Sequence, residues 1–326
     1  MSSFRWGILG TGGIATVFAQ DLKLAQGHRV VAVGSRTLSK AQTFVKEIPD
    51  ANAYGSYEEL VNDRQVDAIY VTSPHSLHEA HTLMALEARK PVLCEKPFAI
   101  SATQVQSMSD AAKRNNSALL EAMWTRYLPH MKVVREILSS GVLGQIHTLE
   151  ADHGQRLADQ NIQRLIDPGL GGGALLDLGI YPLSFAHLIL GAPTSITARA
   201  VMTDAGVDAQ TSAILDYANG AQAILNTTMV AQTPCRAVVS GLLGRLEIDR
   251  TFYAPTSMRV VLFDGSVSEY PNTYLGHGLR EQAIEMARIV RTGLLESPLM
   301  PWHESLAVMR SMDEVREQIG LVYPFE

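Results

Sequence analysis

Cysteine is scarce in this sequence, because Cys94 and Cys235 are the only two in 326 residues. Two cysteines make no disulfide framework and no paired-thiol zinc motif, which fits a reducing compartment. The N-terminal residues 1–5 also lack the basic, apolar and small-residue regions of a secretory signal. We therefore expect a cytoplasmic protein.

Excess positive charge and long apolar runs are missing as well. The sequence has 27 Lys and Arg against 33 Asp and Glu, a net charge of −6, so no broad positive field attracts nucleic acid or an anionic membrane. Apolar stretches such as 174–178 and 188–190 fall short of the roughly 20 residues needed to cross a bilayer. We expect a small-molecule partner, with no nucleic acid and no membrane.

The sequence does contain enough apolar residues for folded cores, with 46% hydrophobic and 18% charged residues, and its length favours two domains. The first third alternates short apolar runs with helical patterns, which is typical of βαβ units. Ser56 followed by Glu59 is a capping-box pattern that predicts a helix start. A doubly wound parallel sheet is therefore predicted in a dinucleotide-binding Rossmann domain at residues 1–122, within an α/β fold. The predicted strands are 5–9, 29–34, 52–54, 68–72, 92–94 and 118–121.

The remaining residues, 123–326, predict a substrate-binding and oligomerisation α+β domain. A Gly-rich stretch at 169–173 leads into a helix, after which strands dominate. Asn219-Gly220 and Asp264-Gly265 indicate two-residue hairpin turns with positive φ at both positions. We expect a large, mostly antiparallel open sheet, with helices near 277–292 and 303–320 packed against it or against the first domain.

A glycine motif follows the first predicted strand and precedes an apolar helix: Gly10-Thr11-Gly12-Gly13-Ile14-Ala15 fits G-x-G-x-x-A. Glycines let the backbone turn tightly and approach a pyrophosphate, which the positive end of the helix dipole attracts. No G-K-[ST] follows, so the motif is not a P-loop. The alternative is a tight turn that happens to be glycine-rich, but the flanking strand and helix favour a dinucleotide.

The end of the second strand selects the nicotinamide cofactor, since NAD enzymes place a carboxylate there to bind the ribose hydroxyls. This chain has Ser35-Arg36-Thr37 instead. Arg36 can pair with a 2′-phosphate, and the neighbouring hydroxyls can donate hydrogen bonds to it. NADP is therefore favoured over NAD, although Arg36 as a merely solvated loop charge is the alternative.

The fifth predicted strand ends in Glu95-Lys96-Pro97, and ligands of open parallel sheets lie outside the carboxyl ends of the strands. A cis bond to Pro97 would aim the lysine into the cleft. A strand-end lysine by itself is more often a solvated charge. Polar side chains at and just before the loop 153–168 could bind substrate hydroxyls or merely solvate the loop; they are Asp152, His153, Gln155 and Arg156.

Three motifs together make the chain similar to the Gfo/Idh/MocA oxidoreductase family over almost its whole length. They are Glu95-Lys96-Pro97, Thr72-Ser73-Pro74-His75-Ser76-Leu77-His78 and Gly173-Ala174-Leu175-Leu176-Asp177-Leu178-Gly179-Ile180-Tyr181. Within the family, Glu121-Ala122-Met123-Trp124-Thr125-Arg126-Tyr127-Leu128-Pro129 and Glu296-Ser297-Pro298 resemble the branch of dimeric dihydrodiol dehydrogenases and NADP-dependent D-xylose 1-dehydrogenases.

This resemblance implies a catalytic lysine at Lys96, together with Asp177 and Tyr181. Residues four apart on a helix share a face, so Asp177 and Tyr181 can point at one substrate. Many family members carry histidine where this chain has Tyr181. A tyrosine can replace it if Lys96 lowers its pKa from about 10. We predict that Tyr181 is the general acid/base, that Lys96 is its electrostatic partner and that Asp177 is the orienting residue. The alternative is that Tyr181 simply packs against the sheet.

The resemblance also extends the cofactor site beyond the glycine motif. Trp124 and Arg126 are added to the cofactor site and could instead line the substrate cleft, although an aromatic residue near a domain junction at least as often only packs against its neighbours. The position of His75 is commonly asparagine in the family, which leaves its role open. The residues added are Thr72, Ser73, Pro74, His75, His78, Glu95, Lys96, Pro97, Trp124 and Arg126.

His75, His78 and His81 recur every three residues, as metal ligands sometimes do. No carboxylate or cysteine nearby completes a tetrahedral set, and hydride transfer needs no metal, so we expect none. The sequence thus predicts an enzyme that moves hydride between NADP and a carbon of a sugar, polyol or trans-dihydrodiol. The alternative is a non-catalytic NAD(P)-sensing regulatory protein on the same fold. An uncovered apolar sheet face, which related enzymes use for pairing, predicts a homodimer or higher homo-oligomer.

Overall fold

The computed structural model describes residues 3–157 and 162–325. It divides into two compact units, each made of several chain segments. The first unit contains Met1–Ala99, Thr103–Tyr127 and Leu275–Ser305, and the second contains Ile100–Ala102, Leu128–Tyr274 and Leu306–Glu326.

The first unit is built on a six-stranded parallel sheet in the order β3-β2-β1-β4-β5-β6. This order reverses between β1 and β4, which makes the carboxyl edge there the switch point of a doubly wound sheet. The six predicted strands and the Rossmann fold are confirmed. The strands are β1 (Phe4–Leu9), β2 (His28–Gly34), β3 (Asn52–Tyr54), β4 (Ala68–Val71), β5 (Val92–Glu95) and β6 (Leu119–Ala122).

Helices separate these strands along the chain, as the alternating pattern predicted. All residues of β4, β5 and β6 are buried, because helices of a doubly wound sheet cover both faces. The Ser56 hydroxyl accepts a hydrogen bond of 3.2 Å from the Glu59 N–H, which confirms the predicted helix start. The helices are α1 (Gly13–Leu22), α2 (Leu38–Val45), α3 (Tyr57–Val61), α4 (His78–Glu87) and α5 (Ala102–Asn115).

The first unit also contains a late helix, α9 (Arg280–Thr292). The buried carboxylate of Asp21 in α1 accepts hydrogen bonds from the backbone N–H groups of His277, Gly278 and Arg280, at 2.8, 3.0 and 2.8 Å. These amides lie where a helix start has no intrahelical partners, and a negative charge is favourable there. The first unit is therefore discontinuous, because residues 275–305 join it from late in the chain. The boundary after residue 122 stays a prediction.

The second unit is built on an eight-stranded sheet in the order β14-β13-β12-β11-β7-β10-β9-β8. Among the described strand pairs of this sheet, β7 and β10 are the only parallel pair. The expected large, mostly antiparallel sheet is therefore confirmed. The strands are β7 (Ile146–Gly154), β8 (Ser195–Met202), β9 (Asp208–Asp216), β10 (Gln222–Thr228), β11 (Ala237–Gly241), β12 (Gly244–Ile248), β13 (Met258–Leu262) and β14 (Val267–Tyr270). The helices are α6 (Pro129–Ser139), α7 (Gln163–Ile166), α8 (Ile180–Leu190) and α10 (Trp302–Ile319), the last of which begins in the first unit.

The strands of this sheet alternate between a buried and an outward face. On the outward face Ile214 and Ile224 lie directly opposite each other and are 42% and 47% exposed. Glu247 on the same sheet forms ion pairs with Arg245 and Arg259. We expected an uncovered apolar face, but apolar and charged residues share the exposed surface.

Two hairpins form where Asn219-Gly220 and Asp264-Gly265 predicted them, but the turn type differs. Positive φ occurs at Gly220 and Gly265 alone, not at the residues before them. Asn219 and Asp264 instead accept hydrogen bonds from the backbone N–H two residues later, at 3.1 and 2.8 Å. This side-chain bond stabilises a type I turn closed by a left-handed glycine, so the two-residue loop was wrong.

One segment, Pro168–Leu190, is long and apolar enough to cross a membrane by length and composition, with a mean hydropathy of 1.5. The separate short runs noted in the sequence thus belong to one 23-residue helical stretch. Of its most apolar window, 83% is buried inside the structure, as in the core helix of a globular unit. It consists of short turns, a π-helical segment (Leu175–Gly179) and α8.

Candidate active site

The glycine motif of the first unit forms the turn between β1 and α1. Gly10 has a φ of +110°, and a Cβ there would lie 2.5 Å from the Thr72 hydroxyl, so only glycine fits. Gly12 and Gly13 are exposed, and a Cβ on either would meet no atom within 4 Å. Gly12 begins α1 without a side-chain cap, and the first turn contains no acidic residue. A pyrophosphate can therefore approach the free N–H groups at the start of α1 closely and accept hydrogen bonds from them.

The end of β2 presents a cation and no carboxylate. Ser35 is buried, whereas Arg36 and Thr37 are exposed. Burial raises the pKa of Tyr57 and lowers the pKa of His81, and the positive charge of Arg36 lowers both. The rings of Tyr57 and His81 lie 4.8 Å apart. The charge of Arg36 therefore reaches both rings, and its exposed guanidinium can meet a phosphate.

The segment after β4 contains a histidine that connects two loops. His78 is fully buried, and its ring nitrogens lie 2.8 Å from the Pro97 carbonyl and 2.9 Å from the Ser73 carbonyl. Burial lowers the pKa of His78 to about 4, so the neutral ring donates to one of these carbonyls only. His78 thus ties the end of β4 to the turn after β5.

Two further predicted residues lie beside His78. The Ser73 hydroxyl is buried and has no hydrogen-bond partner among the described residues. An orphaned hydroxyl at a strand end is a suitable donor for a sugar or phosphate oxygen. The buried ring of His75 lies 5.6 Å from that of His78. With the glycine turn and Arg36, these features fit a dinucleotide at the carboxyl edge.

The turn after β5 presents the candidate catalytic lysine. The bond from Lys96 to Pro97 is cis, a form that the proline allows. Glu95 is buried, accepts a hydrogen bond from the Tyr70 hydroxyl, and lies 3.2 Å from the Lys96 backbone N–H through Oε2. Lys96 is half-buried. The first unit therefore holds this lysine at the strand end where the sequence predicted it.

A buried polar network follows β6, which the sequence did not predict. Glu121 accepts a 2.6 Å hydrogen bond from the Ser305 hydroxyl, and its Oε1 has no partner among the described residues. Burial raises the pKa of Glu121 to about 7, opposed by Ser305 and Arg126. Arg126 is 1% exposed and forms a 2.6 Å ion pair with Glu304. Trp124 is buried with its ring 5.1 Å from that of His277. The predicted roles of Trp124 and Arg126 at the cofactor remain predictions.

In the second unit Asp177 lies within the π-helical segment instead of the regular α-helix that we expected. π-turns inside helices often occur at functional sites. Arg164 of α7 donates to both carboxylate oxygens of Asp177, at 2.9 and 3.4 Å. The Arg164 side chain is 44% exposed and that of Asp177 is 7% exposed. Asp177 is therefore a buried carboxylate held by a cation that solvent reaches.

Tyr181 follows in the first turn of α8, within an aromatic cluster. Its ring lies 4.5 Å from that of Tyr253 and 5.2 Å from that of His153. His153 stacks on Tyr253 at 4.1 Å, and its Nδ1 lies 3.1 Å from the Leu178 carbonyl. The Gln155 amide bridges His153 Nε2 and the Tyr253 hydroxyl, at 2.8 and 2.9 Å. Two residues of the predicted polar loop therefore support the cluster around Tyr181.

Asp152, which precedes that loop, has a different role. Asp152 accepts hydrogen bonds from the backbone N–H groups of Cys235 and Arg236, so its carboxylate is occupied in the sheet. Residues 158–161 of the predicted loop lie outside the described residues. Within the described part of the chain, no group of three or more His, Cys, Asp or Glu residues could hold a metal ion.

Sequence reasoning missed Arg164 and Tyr253. Arg164 precedes a glycine-rich stretch, and a basic residue ahead of the predicted site residue Asp177 was a usable signal. Tyr253 follows Phe252 in a loop with no motif, and only the fold brings it to Tyr181.

A doubly wound sheet with a glycine turn at its switch point, followed by a mixed-sheet unit, defines a Rossmann-type oxidoreductase. The family profile described as "Oxidoreductase family, NAD-binding Rossmann fold" matches residues 4–122, and the Gfo/Idh/MocA C-terminal domain profile matches residues 131–247. The chain is 37% identical to trans-1,2-dihydrobenzene-1,2-diol dehydrogenase of Xenopus laevis over 98% of this chain and 99% of that one. The chain belongs to the Gfo/Idh/MocA family, which confirms the resemblance.

Two further similarities extend this result. D-xylose 1-dehydrogenase (NADP(+)) of Hypocrea jecorina is 36% identical, with 99% of this chain and 93% of the relative covered. A crystal structure of a 3-ketoreductase from Actinomadura kijaniata in complex with NADP and TDP-benzene is 27% identical, with a TM-score of 0.86 and 98% of both chains covered. These relatives are dehydrogenases and reductases by name.

Proposed function

We propose that this chain is an NADP-dependent oxidoreductase acting on a hydroxyl-bearing carbon of a sugar, polyol or trans-dihydrodiol. The observation that carries the proposal is the carboxyl edge of the first unit. There the glycine turn after β1, Arg36 after β2 and Lys96 after β5 follow strands of one parallel sheet. Relatives named for D-xylose and trans-dihydrodiol oxidation support the substrate class.

The cofactor preference follows from the end of β2. No carboxylate stands at residues 35–37 to bind a ribose hydroxyl, and the exposed guanidinium of Arg36 suits a 2′-phosphate. When bound, NADP supplies or accepts the hydride. The N–H groups of α1 and the orphaned Ser73 hydroxyl are the donors that we assign to its phosphate and sugar oxygens.

For the proton transfer we propose the roles that the sequence predicted for Tyr181, Lys96 and Asp177. Tyr181 exchanges the proton of the substrate hydroxyl, Lys96 stabilises the tyrosinate by its charge, and Asp177 orients the substrate. In the second unit the contacts of Tyr181 with Tyr253 and His153 restrict its ring. Packing also accounts for those contacts, so a test must measure turnover.

A substrate panel tests the function. D-xylose, other aldoses, polyols and a trans-dihydrodiol are offered with NADP and with NAD, and the corresponding carbonyl compounds with the reduced cofactors. We expect turnover at the reduced-nicotinamide absorbance with at least one class and a lower KM for NADP than for NAD. The Lys96→Ala variant should bind NADP and lose turnover. Cofactor binding without turnover of any compound would refute the enzyme and favour a sensor.

We further propose a cytoplasmic homodimer or higher oligomer that pairs through the outward face of the second sheet. The exposed Ile214 and Ile224 pair supports this, because two large apolar side chains side by side favour a partner. Sedimentation of the wild type and of an Ile214→Glu variant checks it. We expect the variant to dissociate, and a monomeric wild type would contradict the proposal.

A further inference from the structure

The buried carboxylate of Asp208, at the start of β9, has no part in the site described above. Its side chain is fully buried, and Oδ2 accepts hydrogen bonds from the Leu175 N–H at 2.8 Å and from the Thr211 hydroxyl at 2.7 Å. Its Oδ1 has no hydrogen-bond partner among the described residues. Asp208 is thus a charged group buried beneath the start of the π-helical segment.

The contact with Leu175 fixes the first turn of that segment. Leu175 begins the π-helical segment, and an amide there lacks a partner within the helix. Gly173 precedes it with a φ of +112°, and a Cβ on Gly173 would lie 2.3 Å from Asp208 Oδ1. The glycine and the carboxylate therefore occupy one tightly packed position, and neither can move without the other.

The same turn is hydrogen-bonded through its backbone to Asp177 and to the neighbour of Arg164, the two residues that form the ion pair. The Gly173 carbonyl lies 3.3 Å from the Asp177 N–H, and the Gly173 N–H donates to the Leu165 carbonyl at 2.9 Å. Leu165 adjoins Arg164, which holds the Asp177 carboxylate. A shift of the turn therefore moves Asp177 and its cation together, and Tyr181 follows it in the chain.

Stability alone does not require a carboxylate at this place. Burial raises the pKa of Asp208 to about 6, which reflects the unfavourable burial of a charge. A neutral asparagine could accept the same two hydrogen bonds through its amide oxygen, although its NH2 group would then lie unpaired at the place of Oδ1. The two hydrogen bonds therefore fix the turn, and the negative charge adds a smaller favourable interaction with the free amides at the helix start.

We propose that Asp208 is a positioning residue that fixes the Gly173–Leu175 turn and thereby sets the place of Asp177 for substrate. This inference rests on the proposed function, because it assumes that Asp177 meets substrate. Asp208 acts through Leu175 and does not itself contact the reacting atoms. The same arrangement makes Gly173 obligatory, which the sequence motif alone does not explain.

Four variants test the proposal: Asp208→Ala, Asp208→Asn, Thr211→Val and the control Asp216→Asn. Asp216 ends the same strand, and its carboxylate accepts from exposed side chains of Ser195 and Gln222. For Asp208→Ala we expect kcat to fall about ten- to a hundredfold, since a displaced site loses near-attack geometry. The NADP dissociation constant, measured by fluorescence titration, should stay within about twofold because the glycine turn belongs to the other unit. Asp208→Asn should restore kcat to within about threefold of wild type, and the control should match wild type.

Hydrogen exchange supplies a readout that does not need turnover. Amides in the peptide covering 171–181 should exchange faster in Asp208→Ala, with unchanged exchange in β1 and α1. If Asp208→Ala does not fold, Thr211→Val removes one donor and should show the same changes at smaller amplitude. Unchanged kcat and unchanged exchange at 171–181 in a folded variant would overturn the proposal. A wild type inactive on the whole panel would refute the proposed function, and the exchange result would then decide the positioning role alone.

Discussion

The two units position their candidate residues by different physical means. In the first unit Arg36 and Lys96 follow β2 and β5, so the backbone of a parallel sheet carries them to one edge. In the second unit Asp177 lies in a helical segment held by side chains from elsewhere: Arg164, Asp208 and His153 contact it or its neighbours. The sheet backbone alone positions residues at the strand ends, whereas the position of the π-helical segment depends on side chains that are distant in sequence.

This difference has a consequence for substitutions. In the first unit a change should act through the substituted group itself. In the second unit, changes at supporting residues should also lower activity, because they move the segment that carries Asp177. Four measurements test this contrast.

The largest effect is expected for Tyr181→Phe, which removes only the hydroxyl. If Tyr181 exchanges the substrate proton, kcat should fall about 10²- to 10⁴-fold, while NADP affinity stays unchanged. Steady-state kinetics and fluorescence titration of NADP measure the two. Tyr217→Phe is the matched control, because that buried tyrosine hydroxyl in the same unit has no partner among the described residues. Turnover of Tyr181→Phe within a few-fold of wild type would remove this residue from the chemistry.

Glu121→Gln should change stability in a pH-dependent way. Burial raises the pKa of Glu121 from 4.5 to about 7, so the folded state binds the proton more tightly than the unfolded state. The contribution of this proton binding to the free energy of unfolding is fully present below pH 4.5 and is lost as the pH rises to about 7. Glutamine does not titrate, so the free energy of unfolding of the variant should rise relative to that of wild type by roughly 2–3 kcal/mol between pH 4.5 and 8. Denaturant unfolding at both pH values measures this, and a constant difference would mean that Glu121 titrates normally.

Arg36→Ala tests a residue placed by its strand alone. Loss of a charged hydrogen bond to the 2′-phosphate should raise the NADP dissociation constant about ten- to a hundredfold, with little change for NAD and in kcat. Arg29→Ala, an exposed arginine near the start of the same strand, is the control. Equal losses of affinity for NADP and NAD would show that Arg36 does not recognise the 2′-phosphate.

Arg164→Ala should give the smallest effect, because the Arg164 side chain is 44% exposed. We expect kcat/KM to fall about tenfold as Asp177 loses its partner, with unchanged NADP affinity. Arg164→Lys keeps the charge but not the two-pronged contact, so it should recover part of the loss. A fall in NADP affinity instead would contradict the division of roles between the two units.

Much of the first unit was predictable because its signals are local. The alternation of apolar runs gave all six strands, and the glycine motif lies at the predicted turn. The buried Glu121–Ser305 contact was not predictable, because its residues are 184 positions apart. The contact of Asp21 with the start of α9 escaped prediction for the same reason.

The second unit was less predictable where side chains decide the geometry. The hairpins at Gly220 and Gly265 were predicted, but the side chains of Asn219 and Asp264 selected another turn type. The helix carrying Asp177 was predicted, but not its π-helical segment. The supports of that segment come from β7, β9 and α7, and no spacing in the sequence connects them.

The Rossmann unit, the family and the candidate residues Lys96, Asp177 and Tyr181 could be predicted from the sequence, because strand periodicity and short motifs are local properties. The fold was needed to show that Arg164 holds Asp177, that Tyr253 packs on Tyr181, and that Asp208 lies under Gly173. These contacts join residues far apart in the chain, and only burial of the apolar faces brings them together.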